Sequence, residues 1–389
     1  MKHSLFRLLG VVAASALLAL PAGAFDTRAT SAYVIDQTTG TVLLNKNADV
    51  PLPPASMSKL MTLYMAFEAI RDGRLTLDEK LPVSQHAMSY GGSTMFLDTT
   101  DRVKVEDLLR GIIVLSGNDA CAVIAEALSP DGTEPGFARM MTTRAQQLGM
   151  NNSTFSNSNG WPQAGHRMSM HDLAILANHL ITDFPQFYPL FSEREFLFDG
   201  RAPQNKSNRN PLLGLGIGAD GLKTGHTTEA GYGLVGSAKQ GDRRVIFVIS
   251  GLDSAIARAE ESEAIVNWSF RHFVKRPLVK AGTEMAQAQV WMGAEARVGL
   301  VPLEDVSALL SVENNSAYTA EVVYQGPIPA PIQKGQQLAK LIITPQGLSP
   351  MEVPLVADRD IPRGGFIPRV TTVGQILLKR LNQGPEGAS

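Results

Sequence analysis

The chain has 389 residues, 44% of them hydrophobic and 19% charged, with 35 basic against 37 acidic side chains and a formal charge of −2. With a mean hydropathy of −0.01, this composition excludes an intrinsically disordered chain, a collagen-like repeat and a polytopic membrane protein. Basic residues are scattered rather than clustered, so nucleic acid is not an expected partner. The single cysteine, Cys121, excludes an intramolecular disulfide framework and a cysteine-based zinc site.

Lys2, His3 and Arg7 precede an apolar run over 8–20, and Ala22 and Ala24 fill the two small-residue positions that a signal peptidase reads. Residues 1–24 are therefore expected to be a secretory signal peptide, since the run has signal length and is short for a membrane span. Loss of Lys2 and Arg7 would leave 33 basic against 37 acidic residues in a mature chain working outside the cytoplasmic membrane.

From Ala32 the alternation predicts a hairpin over 32–44 turning at Thr38-Thr39-Gly40. Leu60, Leu63, Tyr64, Phe67 and Ile70 then recur at helical spacing up to Gly73. A second helical stretch over 105–128 is interrupted at Ser116-Gly117-Asn118. Ser169 and Asp172 have capping-box spacing before a helix over 173–180. A hairpin is predicted over 232–250, turning at Lys239-Gln240-Gly241-Asp242, followed by a helix over 260–273. Strands at both ends with helices between them imply a sheet covered by helices. Beyond Pro277, short β-type runs separated by Gly and Pro predict a small all-β domain.

Three short motifs can carry chemistry. Ser56-Met57-Ser58-Lys59 places a hydroxyl and an amine one helical turn apart, where a desolvated lysine can take the serine proton. Alone it is equally a serine cap beside a solvated lysine. Ser116-Gly117-Asn118 puts small polar residues into an apolar helical stretch, as a cavity lining or a simple turn would. Lys223-Thr224-Gly225 precedes the second hairpin. It offers an edge strand with a cation for a carboxylate and a glycine for close backbone approach, or an ordinary edge guarded by a charge. Their joint occurrence, in this order and on these elements, matches the motif set of class A β-lactamases and penicillin-binding proteins, with S-G-N in place of S-D-N.

With Gly111-Ile112, Asn118-Asp119-Ala120-Cys121, His226-Thr227 and Ala230-Gly231-Tyr232 added, the chain resembles the low-molecular-mass penicillin-binding proteins that are D-alanyl-D-alanine carboxypeptidases. The resemblance implies an α+β catalytic domain over 25–276 with the serine β-lactamase/transpeptidase-like fold, an antiparallel sheet between helices. It also implies a C-terminal β-sandwich over 277–362 and no cofactor or metal. By the same resemblance Ser56 is the acylated nucleophile, Lys59 its base and Ser116 a proton relay. Asn118 would hold the substrate amide, Lys223 and Thr224 of the Lys223-Thr224-Gly225 strand the terminal carboxylate, and the backbone N–H groups of Ser56 and His226 the oxyanion. The implied partners are peptidoglycan stem pentapeptides as substrate and β-lactams as covalent inhibitors, and the implied location is the periplasm.

Two positions depart from the pattern. Several relatives carry an arginine where this chain reads Gly251-Leu252-Asp253-Ser254, so Lys223 and Thr224 are expected to hold the carboxylate with less help. A histidine found before the matching glycine in some relatives is Asn159 here. A β-lactamase remains an alternative, although no family-like glutamate motif lies between Asn118 and Lys223; a catalytically degenerate peptidoglycan-binding protein is another. His171 and His179, eight residues apart without a zinc-type motif, read as surface or capping residues, and Cys121 as a small buried hydrophobe. Finally, Val370, Val373, Leu377 and Leu381 form one helical stripe beside Arg363, Arg369, Lys379 and Arg380. The tail 363–389 is thus expected to associate peripherally with the inner membrane.

Overall fold

A computed structural model describes residues 25–313 and 317–365. The expected signal peptide and the apolar stripe over 370–381 lie outside the described residues.

The first predicted hairpin forms strands β1 (Ser31–Asp36) and β2 (Thr41–Lys46). The later segments form β3 (Ala219–Thr227), β4 (Gly231–Gln240) and β5 (Arg243–Leu252). They assemble into one sheet of order β2-β1-β5-β4-β3 with every neighbouring pair antiparallel. Side chains alternate between its faces, as the two-residue period of a strand requires. Tyr33, Val235, Ile246 and Val248 enter one core, whereas Val34, Leu234, Val245, Phe247 and Ile249 enter the other. Helices α1 (Lys59–Arg71), α2 (Asn118–Leu128), α3 (Glu134–Gln147) and α4 (Met170–Asp183) supply the first core, and α5 (Ala255–Arg271) the second. The α+β arrangement of a sheet between helices is therefore present.

Two helices differ from the sequence reading. Helix α3 was not foreseen, although Thr133 caps it by accepting from Gly136 N at 3.1 Å and Pro135 occupies its first turn. Helix α5 starts at Ala255, not residue 260, because Ser254 caps it by accepting from Ala257 N at 3.0 Å. It stops at Arg271 because Phe273 already pairs with Ser311 in the next domain. Ser169 does cap α4, accepting from Asp172 N at 3.0 Å. The reciprocal arm of a capping box is missing, since Asp172 Oδ2 accepts from Asn152 N and Ser153 Oγ instead.

The second domain begins with the strand Phe273–Val279, which runs across the expected boundary at 276 and pairs with Val306–Ser311. This pair faces a six-stranded sheet, and Val306, Ala308 and Leu310 pack with Val298, Leu300, Leu341, Ile343 and Leu355 between the two layers. Buried Arg243 ties the domains: it pairs with Asp36 at 2.8 Å and donates to the carbonyls of Ser269 and Phe273.

Candidate active site

The proline-rich segment before α1 cannot continue as helix, and it turns into one through a 3-10 turn, Ala55–Ser58, with Ala55 in the left-handed region at φ 49°. The turn brings Ser56 Oγ to 2.9 Å from Lys59 Nζ. Lys59 is fully buried, and its nitrogen also meets Asn118 Oδ1 at 2.7 Å and the Asn159 carbonyl at 2.5 Å. Burial pushes its pKa down to about 8, with repulsion from Arg209 acting in the same sense and the Asp119 and Glu134 carboxylates opposing it. The neighbouring Cys121 thiol, buried as expected, is itself pushed up to about 12 by that burial and stays neutral.

The interruption in the second helical stretch has a defined shape. A helix over Val105–Arg110 widens into a π-helical turn, Gly111–Leu115, and Ser116 follows in the left-handed conformation at φ 63°, ψ 35°. Gly111 leaves room there for the Met95 side chain, which a Cβ would displace. The Asp119 carboxylate accepts from the backbone N–H of Met95 and Leu97, fastening the segment that runs beside the motif. Asn118 has its side-chain carbonyl on Lys59 and one amide hydrogen on the Gly91 carbonyl at 2.8 Å. Ser116 is 2% exposed, and its hydroxyl has no hydrogen-bond partner among the described residues.

Lys223, Thr224, Gly225 and His226 lie on β3, the edge strand of the sheet. A Cβ on Gly225 would stand 3.0 Å from Met57 Cγ and from the Pro54 carbonyl, so glycine lets β3 lie flat against the Ser56 turn. Lys223 and Thr224 are buried, and burial together with the charges of Lys59, Arg209 and Arg258 pushes the Lys223 ammonium well below its usual pKa. The His226 ring stacks on Tyr232, its cross-strand partner, at 3.8 Å. The structure thus joins Ser56, Lys59 and Asn118 by hydrogen bonds and lays the strand bearing Lys223, Thr224, Gly225 and His226 against the Ser56 turn, with Ser116 two residues before Asn118.

Leu252 is buried in the core and Asp253 is exposed, while Arg258, in the first turn of α5, lies close enough to Lys223 for its charge to help lower the lysine pKa. It is 8% exposed, its guanidinium lies 5.7 Å from the Tyr232 ring centroid, and its Nε has no partner among the described residues. None of Lys223, Arg209 or Arg258 has a carboxylate partner among the described residues; Lys223 and Arg258 are buried and Arg209 is exposed, so the group is a cationic cluster suited to an anion. Sequence reading missed Arg258 because it began the last helix at 260. The serine cap at 254, a visible signal, would have placed the arginine one turn into that helix.

Behind the serine lies the loop 154–167, closed by paired backbone bonds between Thr154 and Arg167. Asn159 reaches Lys59 through its backbone carbonyl, so replacement of a histidine side chain there leaves that contact in place. Ser156 N donates to His166 Nδ1 at 3.1 Å, which leaves the proton on Nε2 to donate to Ser58 Oγ at 2.8 Å. Burial pushes His166 down to about 4. His171 and His179 pair separately with Asp49 and Asp183, as peripheral residues do.

The D-alanyl-D-alanine carboxypeptidase family, peptidase S11, matches residues 18–254, and the C-terminal domain of penicillin-binding protein 5 matches residues 273–363. The D-alanyl-D-alanine carboxypeptidase DacF of Bacillus subtilis is 34% identical over 87% of this chain and 87% of its own. The structure of penicillin-binding protein 5 from Haemophilus influenzae superposes with a TM-score of 0.75 at 32% identity, covering 87% of this chain and 98% of that one. Penicillin-binding protein D2 of Listeria monocytogenes, in its ampicillin-bound form, superposes with a TM-score of 0.56 at 31% identity over 63% of this chain and 98% of its own. A half-buried serine beside a buried lysine, its asparagine partner and a lysine-bearing edge strand thus sit in a chain that belongs to the peptidase S11 family of D-alanyl-D-alanine carboxypeptidases.

Proposed function

We propose that this enzyme removes the terminal D-alanine from peptidoglycan stem pentapeptides through an acyl-enzyme on Ser56. The observation that carries the assignment is Lys59 Nζ, fully buried and 2.9 Å from Ser56 Oγ, with its proton affinity lowered by burial. Neutral Lys59 takes the Ser56 proton as Oγ attacks the penultimate carbonyl. The backbone N–H groups of Ser56 and His226 hold the oxyanion, whose stabilisation is usually the largest single contribution in acyl transfer. The C–N bond then breaks, and the proton passes through the free Ser116 hydroxyl to the departing amine of D-alanine. Water adds to the ester, giving up a proton to the same base, and releases the shortened peptide and Ser56. Asn118 orients the scissile amide, while Lys223, Thr224 and Arg258 receive the terminal carboxylate at the end of the Gly225 strand.

β-Lactams would follow the first half of this path and remain on Ser56. Intact-mass spectrometry after penicillin treatment, with an assay of free D-alanine from a stem pentapeptide, tests the assignment. Ser56→Ala is expected to lose both label and release, and a labelled Ser56→Ala protein would overturn it. The pattern of residues 1–24 supports export, with the enzyme acting in the periplasm. The basic stripe after Arg363 supports reversible contact with the outer face of the cytoplasmic membrane.

A further inference from the structure

Glu134 is a buried carboxylate with no part in the steps above. It is the first residue of α3 and is 4% exposed. One of its oxygens accepts from Ser158 N at 2.8 Å and Ser158 Oγ at 2.5 Å. The other accepts from Tyr90 OH and bonds His86 Nε2, both at 2.7 Å. Each arm ends one residue short of a carbonyl that holds one of the pair Lys59 and Asn118. The Ser158 carbonyl takes Thr62 Oγ1 of α1 at 2.5 Å, and the next carbonyl, that of Asn159, takes Lys59 Nζ at 2.5 Å. On the other arm Tyr90 is followed by Gly91, whose carbonyl takes Asn118 Nδ2 at 2.8 Å.

We propose that Glu134 is a positioning residue for the catalytic pair: it grips Ser158 and Tyr90 so that the Asn159 and Gly91 carbonyls fix Lys59 and Asn118 at the serine. The inference rests on the reading of Lys59 as the base. A buried carboxylate is costly to hold unless its oxygens are filled with donors, and here four donors fill them. Burial pushes the Glu134 carboxyl up, but the bonds from Ser158, Tyr90 and His86 outweigh it and keep the group below its usual pKa, hence charged. That charge acts on Lys59 in the direction opposite to its burial. The other groups that act on Lys59 are Asp119 and Cys121 from α2, Arg209 from the segment before β3, Lys223 from β3 and His166 from the loop 154–167. Glu134 therefore does two separable things: its shape places the pair, and its charge favours the protonated lysine.

Two variants separate them. Glu134→Gln keeps the length and an acceptor for Ser158 but removes the charge, whereas Glu134→Asp keeps the charge and shortens the reach by one methylene. The rate of penicillin acylation is measured against pH by intact mass on the full chain, with thermal unfolding as the check of folding. Glu134→Gln is expected to shift the acidic limb about half a pH unit towards acid, because loss of a nearby anion makes Lys59 easier to deprotonate. Glu134→Asp is expected to lower the rate about tenfold or more, as a sub-ångström misplacement of a catalytic group does, with the limb unmoved. Ser158→Ala, which cuts one bond of one arm and disturbs folding least, should lower the rate several-fold by the same route. An unmoved limb in Glu134→Gln overturns the charge coupling. Wild-type rates in both Glu134→Asp and Ser158→Ala overturn the positioning. If the unaltered enzyme is not acylated at Ser56, the assignment of the reaction fails instead, a result distinct from either.

Discussion

Lys59 must be neutral to accept the Ser56 proton, yet three oxygen contacts at 2.5–2.9 Å also suit a protonated amine. Desolvation decides the balance, bringing the pKa to about 8 from 10.5. Below that pH the base carries its proton and the serine stays unactivated. The acylation rate should therefore climb with pH through a limb centred near 8, measured as the pseudo-first-order rate of penicillin labelling. Lys59→Arg should lose acylation, because a guanidinium does not give up its proton; near-normal labelling of that variant would point to another base. Arg258 answers a different question, that of the anion. With its Nε unpaired among the described residues and its guanidinium buried against Tyr232, Arg258→Gln should lower kcat/KM for a stem pentapeptide about 10- to 100-fold, the range of one lost charge-assisted contact. The loss should vanish for a substrate whose terminal carboxylate is amidated. A loss as large on the amidated peptide would assign Arg258 to structure. Motif residues such as Ser56 and Lys59 are legible in the sequence because their separation is fixed by one turn of chain. Arg258 and Glu134 are not, because their roles depend on which distant backbone they meet.

At the scale of elements, both predicted hairpins and the helix after Ser56 were readable, since alternation and helical period are local and each is bounded by Gly or Pro. The helix α3 escaped because its apolar residues Phe137, Met141 and Ala145 are diluted by polar neighbours. The loop 154–167 had no readable period at all, yet it supports the base. Its docking depends on Gly160, at φ 81°, where a Cβ would fall 1.8 Å from the Ala55 carbonyl. It depends also on His166, held neutral between Ser156 N and Ser58 Oγ. His166 has a pKa of about 4 when folded and 6.5 as a free side chain. Between those values the unfolded chain binds the extra proton, so stability must fall as pH drops from 6.5 to 4. The full shift corresponds to about 3 kcal/mol. Urea unfolding at pH 7 and pH 4.5 should show that loss, and His166→Gln should show a smaller one while being less stable at neutral pH. An identical acid loss in the variant would assign it to other groups.

For the whole molecule, the two domains are joined through Arg243, which reaches from the start of the central strand β5 to the end of α5 and the first residue of the second domain. The second domain in turn fixes where the tail departs. Pro362 and Gly364 pair with Ala294 and Met292 beside the strand Ala286–Trp291, so the basic stripe begins at the β-domain. Between Arg363 and Arg380 the sequence has four basic residues and no acidic one, with Val370, Val373, Leu377 and Leu381 on one helical stripe. Such a segment gains about 1 kcal/mol per basic residue near an anionic surface, and apolar burial adds to this. Gly374 would cost a helix there about 1 kcal/mol, and no Trp or Tyr follows Gly365 in the sequence to mark an interface. The balance favours reversible association that salt weakens. Residues 25–389 should sediment with anionic vesicles at low salt and be released at high salt, and residues 25–365, which keep the Pro362 and Gly364 pairings, should stay in the supernatant. Both forms should hydrolyse a soluble pentapeptide equally, since the tail leaves from the other domain. Equal vesicle binding by the two forms would remove the tail from the account and place any membrane contact on the folded domains.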